Sequence, residues 1–170
     1  MVINKLKAIL FKETSILPLA IFRMAFGVLM SFSMFRFLYN GWIEECYINP
    51  EFHFTYQFFD WVKPFSENEM YFIVVLCGIA AFLIAIGFLY RFAAITFFIS
   101  FTYLELIEKS WYLNHYYFVS LVAFLLMLVP ANKSFSVDTK LFKNLKLNSV
   151  PYWTILIFKL QLSIVYFFGG

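Results

Sequence analysis

Apolar residues along this chain gather in long, nearly unbroken blocks rather than in stripes. The blocks 17–37, 70–90, 92–107, 112–129 and 152–170 carry hydrophobic side chains all round a helical wheel. Most approach the roughly 20 residues that a helix needs to cross the hydrocarbon of a bilayer. A soluble domain would alternate apolar and polar positions at a period of 3.6 or 2. The pattern predicts an all-α fold, a polytopic membrane helix bundle with about five transmembrane helices in a single domain over residues 1–170. The third block is short, and only the turn around Tyr90 and Arg91 sets it off from the second, which predicts a tight helical hairpin at that point. Pro130 ends the fourth.

Composition sharpens this picture. The chain is 63% hydrophobic and 24% aromatic with only 14% charged residues, and its mean hydropathy is +0.80, well above the range of soluble domains. The net charge of +3 comes without a basic run in polar surroundings, which argues against a nucleic-acid partner. The partner it implies is the lipid bilayer. Lys5, Lys7 and Lys12 precede the first block as in a secretory signal, but Arg23 and Arg36 interrupt it and no small-residue cleavage site follows. A retained first span is expected. Between the first two blocks, residues 38–69 hold Glu44, Glu45, Glu51, Asp60, Glu67 and Glu69, many aromatic rings, and the breakers Pro50 and Pro64. Short helices or turns lying on one membrane face are expected there. A cytoplasmic N-terminus places most Lys and Arg residues inside, including Arg91, Lys133, Lys140, Lys143 and Lys146, and puts this acidic loop outside.

Polar groups at membrane depth cost free energy and each needs a reason. Arg23 either snorkels to the headgroups or faces the bundle; Arg36 either anchors the interface or binds an anion. Lys159 and Gln161 lie inside the fifth block. Lys159 either snorkels, acts as a base of depressed pKa, or pairs with an acid such as Glu105. At the start of the fourth block, Asn114 and His115 stand among Trp111, Tyr112, Tyr116 and Tyr117. An imidazole exchanges protons near neutral pH and a neighbouring amide stabilises developing negative charge on oxygen, so the pair is a candidate site; the plainer reading is an aromatic belt. His53 is a weaker candidate. Cys46 and Cys77 have no ligand spacing; they either pair, if both face an oxidising compartment, or stay free, and Cys77 lies in an apolar run as a buried free thiol would. No metal site and none of the common soluble-enzyme motifs is present.

Several motifs in fixed order carry a resemblance. They are Phe22-Arg23 with Phe26-Gly27 and Met30, Asn40-Gly41-Trp42-Ile43, residues 50–56, Asp60-Trp61-Val62-Lys63-Pro64, residues 112–117, Pro130-Ala131-Asn132, Phe135-Ser136-Val137-Asp138 and residues 161–169. From about residue 16 to the last, the chain resembles the vitamin K-dependent gamma-carboxylase family, in its bacterial branch built on the HTTM membrane domain. The resemblance implies quinol epoxidation coupled to carboxylation of glutamate. The cofactor it implies is vitamin K hydroquinone or another reduced quinone, with oxygen and carbon dioxide as co-substrates, and a glutamate-containing peptide or protein as partner. The proton beside a glutamate carboxylate is too weakly acidic for any side chain, so a stronger base made from the quinone must remove it in a water-free chamber.

Carried over by matching position, Asn114 and His115 correspond to the family's Asn-His pair and are the expected catalytic residues. Lys159, Gln161 and Tyr166 correspond to polar positions of the fifth span and, with Arg23, are expected to line the cofactor site. The resemblance also implies a bacterial inner-membrane protein with its site toward the outer face. In the family, the stretch equivalent to 166–170 runs on into a segment bearing the lysine that deprotonates the hydroquinone. The sequence stops at Gly170, so an N-terminal portion is expected, and lyase activity only where that lysine is supplied. The alternative is a non-catalytic membrane domain that binds a quinone or lipid, or assembles with a partner chain.

Overall fold

The computed structural model describes residues 2–111 and 113–169. A short helix α1 (Val2–Leu10) leads through strand β1 (Glu13–Ser15) into α2 (Leu17–Tyr39). After a π-helical turn at Glu44–Ile48 and an irregular loop come α3 (Glu67–Ile86), α4 (Tyr90–Ile107), α5 (Asn114–Leu128), the short α6 (Val137–Leu141), strand β2 (Ser149–Pro151) and α7 (Trp153–Gly169). The all-α bundle is as expected. Helices α2, α3 and α4, of 23, 20 and 18 residues, are long and apolar enough to cross a membrane; α5 and α7 are apolar but shorter. Tyr112 and Gly170, at the expected limits of the fourth and fifth spans, lie outside the described residues.

Residue pattern explains the elements. Glu69 accepts hydrogen bonds from the backbone N–H (2.9 Å) and hydroxyl (2.7 Å) of Ser66, closing the first turn of α3. The hairpin after α3 turns three residues earlier than expected, at Gly87, whose φ of 67° is left-handed. Tyr90 is already helical because Asp138 accepts the N–H groups of Leu89 (2.9 Å) and Tyr90 (3.2 Å), capping α4 with a negative charge. Helix α5 ends at Leu128, ahead of Pro130.

The core runs between α2, α3 and α4. Gly27 of α2 lies against the backbone of Ala81 and Ala85 of α3, the close approach that small residues permit between membrane helices. Phe26 meets Phe97 edge to face at 5.5 Å, and Phe97 stacks on Phe101. The outward faces are equally apolar. Leu29, Phe32, Phe72 and Phe92 are each about two-thirds exposed, which suits lipid rather than water. The sequence pattern did not foresee β1 and β2, which pair antiparallel through Thr14 and Val150 and tie the start of α2 to the start of α7.

Candidate functional site

Of its two expected surroundings, Arg23 takes the bundle-facing one. It is fully buried beside the α3–α4 turn. Its Nε donates to Ala131 (3.1 Å), Nη1 to Ile84 (2.5 Å) and Ala85 (2.6 Å), and Nη2 to Phe135 (2.7 Å). Four backbone carbonyls thus take up its donors. Asn132 donates to Asp138 at 2.7 Å in the same knot, so the motif around 130–138 is a structural lock on the turn.

The Asn-His pair sits at the opposite end of the bundle, beside the 40–66 loop. Asn114 and His115 open α5 after the extended residue Leu113, and both are exposed. Neither side chain has a hydrogen-bond partner among the described residues; the His115 ring makes an edge contact with Tyr116 at 4.6 Å. By helical spacing His115 heads the stripe that continues through Val119, Val122 and Leu126, of which the last two are buried in the core. The imidazole therefore stands at the mouth of the bundle-facing side of α5.

Two hollows flank this helix. A groove of about 320 Å³ between α2, α5 and α7 is lined by Phe22, Phe118, Val122, Phe158 and Lys159. The Lys159 ammonium lies over the ring of Tyr152 at 5.7 Å. Tyr152 precedes it by seven residues, so the side chain runs back toward the start of α7, the snorkelling arrangement. The only close contact between a basic side chain and a carboxylate among the described residues joins His53 to Glu108, so Lys159 does not pair with Glu105. Gln161 is partly buried, while Tyr166 is 74% exposed near the end of α7. The structure does not bring Lys159, Tyr166 and His115 into mutual contact.

The second hollow, of about 1050 Å³, opens between α4 and α5 under loop residues 56–59. Phe98, Phe124 and Tyr117 wall it, with Glu105 and Lys109 toward the loop. Two hydroxyls on its facing walls, Thr102 and Ser120, are buried and lack hydrogen-bond partners among the described residues. Elsewhere Ser31, Ser100 and Ser163 donate to the carbonyl one turn back. Sequence reading passed over Thr102 and Ser120, because a lone hydroxyl in an apolar block is the commonest tolerated polar group there. Only their placement on facing helices sets them apart.

The loop is held over this hollow by Glu108, just past the end of α4. Its carboxylate accepts from the N–H of Ser110 (2.8 Å) and Phe54 (3.2 Å) and meets His53 Nδ1 at 3.2 Å. Burial alone would raise its pKa, but these hydrogen bonds more than offset that and hold it below the usual carboxylate range. His53 is therefore a strut, 55 residues from its partner. Nearby, burial pushes the Cys46 thiol up to about 11, with the charges of Glu45 and Glu108 adding to the shift. Arg36 stacks over Trp42 at 5.3 Å, anchoring the loop's first turn.

No solved structure matches this chain. A family model described as the HTTM domain matches residues 11–170.

Proposed function

The chain belongs to the HTTM domain family, and on that premise we propose that it works as the membrane part of a vitamin K-dependent gamma-glutamyl carboxylase, using a reduced quinone. The HTTM domain is the membrane domain of vitamin K-dependent carboxylase-type proteins. The observation that carries the reading is the placement of Asn114 and His115. They are adjacent, exposed and, among the described residues, without hydrogen-bond partners at the start of α5, whose flanks carry both hollows though neither residue lines them.

The protein fits a quinone. Both hollows are walled by aromatic and aliphatic side chains of the kind that hold a flat apolar ring, and two residues lining the larger carry hydroxyls without hydrogen-bond partners among the described residues. When bound, a reduced quinone supplies, together with oxygen, the strong base that glutamate carboxylation needs. In this reading His115 takes or returns a proton at its free ring nitrogens, and the Asn114 amide N–H groups face negative charge developing on oxygen. Aromatic walls exclude water. The site then faces the outer side of a bacterial inner membrane, with glutamate-bearing peptide reaching it past the 40–66 loop.

Quinol epoxidation, measured on the protein as its gene encodes it, tests this. His115→Ala should lower the rate by roughly 100-fold or more, as removal of a general acid–base does. Unchanged epoxidation in that variant refutes the assignment. The Lys159 ammonium, turned back over Tyr152, favours a second reading, a non-catalytic membrane domain that binds a quinone or lipid. A chain that binds quinone without turnover fits that second reading.

A further inference from the structure

We infer that the cavity between α4 and α5, rather than the groove beside α7, holds the ring of the ligand, and that Thr102 and Ser120 are its anchoring residues. This deepens the proposed function and rests on it for the ligand's identity as a quinone; the site itself rests on geometry.

Size comes first. The cavity of about 1050 Å³ is more than three times the groove of about 320 Å³, and it has room for a fused bicyclic ring with part of an apolar tail. The lining agrees, since Phe59, Phe98 and Phe124 are among its walls and supply aromatic surface for a ring.

Polarity decides between the two hollows. A buried hydroxyl left without a partner costs free energy, and a helical Ser or Thr normally avoids that cost by donating to the carbonyl one turn back, as Ser31, Ser100 and Ser163 do here. The hydroxyls of Thr102 and Ser120 have no such bond among the described residues, although their oxygens are shut off from solvent and both part-buried residues line this one cavity from opposite helices. With no bond to hold it, either side chain can turn about χ1 and bring its hydroxyl to the cavity surface, where a ligand oxygen would satisfy it. The groove beside α7 offers no comparable group, since its one polar side chain, Lys159, turns away to Tyr152.

The chemistry of the pair matters as well. A hydroxyl both donates and accepts. It can give a hydrogen bond to the carbonyl of a quinone and take one from the hydroxyl of a quinol, where a lysine or arginine could only give. The pair therefore holds both oxidation states of one ring, as a site that receives a reduced ring and releases an oxidised one requires.

Equilibrium binding to the chain in lipid nanodiscs, with empty nanodiscs subtracted, tests this using menadione and 2-methylnaphthalene, a ring of the same size without oxygens. The expected result is saturable menadione binding that weakens on the order of tenfold in the Thr102→Val/Ser120→Ala double variant, as lost hydrogen bonds dictate. Binding of 2-methylnaphthalene should not change, and Thr102→Ser/Ser120→Thr should retain the menadione affinity. Menadione binding that is equal in wild type and double variant overturns the assignment. Parallel loss of both ligands overturns it too, because that loss reflects a deformed cavity rather than missing anchors. If epoxidation is absent but anchored menadione binding persists, the enzymatic reading fails and this site stands.

Discussion

Arg23 of α2 reaches the last turn of α3 and donates to the Ile84 carbonyl at 2.5 Å, one of four backbone carbonyls it serves in a fully buried position. A helix end buried in this way needs donors for its free carbonyls, and Arg23 supplies them from another helix. Arg23→Ala should lose on the order of 3 kcal/mol or more of stability, since several buried acceptors go unpaired at once. Arg23→Lys should recover only part, because a compact ammonium cannot reproduce the fork. Thermal unfolding in detergent should therefore rank wild type above Arg23→Lys and both above Arg23→Ala; equal midpoints would remove the structural role.

Two glycines on the α2–α3 seam should behave differently. A Cβ on Gly27 would lie 2.6 Å from Ala85 Cα and 2.7 Å from Ala81 O, both backbone atoms that cannot turn aside. A Cβ on Gly78 would meet only Met34 Cβ, at 3.3 Å. Gly27→Ala should cost about 1–3 kcal/mol by forcing the helices apart, while Gly78→Ala should cost clearly less. The same unfolding measurement compares them.

The loop over the larger cavity should loosen in acid. Glu108 has a pKa lowered in the folded protein, so its contribution is complete above the ordinary carboxylate range and is lost as the pH falls through its own depressed value. Amide hydrogen exchange at Phe54 and Ser110, the two N–H groups bonded to Glu108, should accelerate relative to intrinsic rates across that window. In Glu108→Gln the protection should be lower and nearly independent of pH there. An unaltered profile in the variant would place the clamp elsewhere.

The two native thiols should be inert to maleimide in the folded protein. Both are buried, and burial raises Cys46 to about 11, leaving almost no thiolate at neutral pH. Labelling at Lys109→Cys and Lys143→Cys then reads out orientation against a silent background. With the cytoplasmic N-terminus proposed from charge distribution, the first should react from outside and the second from inside. Reaction of both from one side would overturn that orientation.

The sequence alone determined the solvent and the class of fold. Blocks that are apolar all round leave no stripe to face water, so a membrane bundle follows without knowing which helix touches which. It also marked Arg23, Asn114, His115 and Lys159 as needing a reason, because charge or polarity in an apolar block is rare whatever the packing. What each reason was depended on distance across the chain. The donors of Arg23 meet carbonyls 61 to 112 residues away, and His53 props Glu108 from 55 residues away. A period of residues along one helix carries no record of such partners. The hairpin was displaced to Gly87 because Asp138, far along the chain, caps α4. Thr102 and Ser120 went unmarked for the converse reason: a hydroxyl in a helix is ordinary until the tertiary structure shows two of them, on residues lining one cavity, without a partner among the described residues.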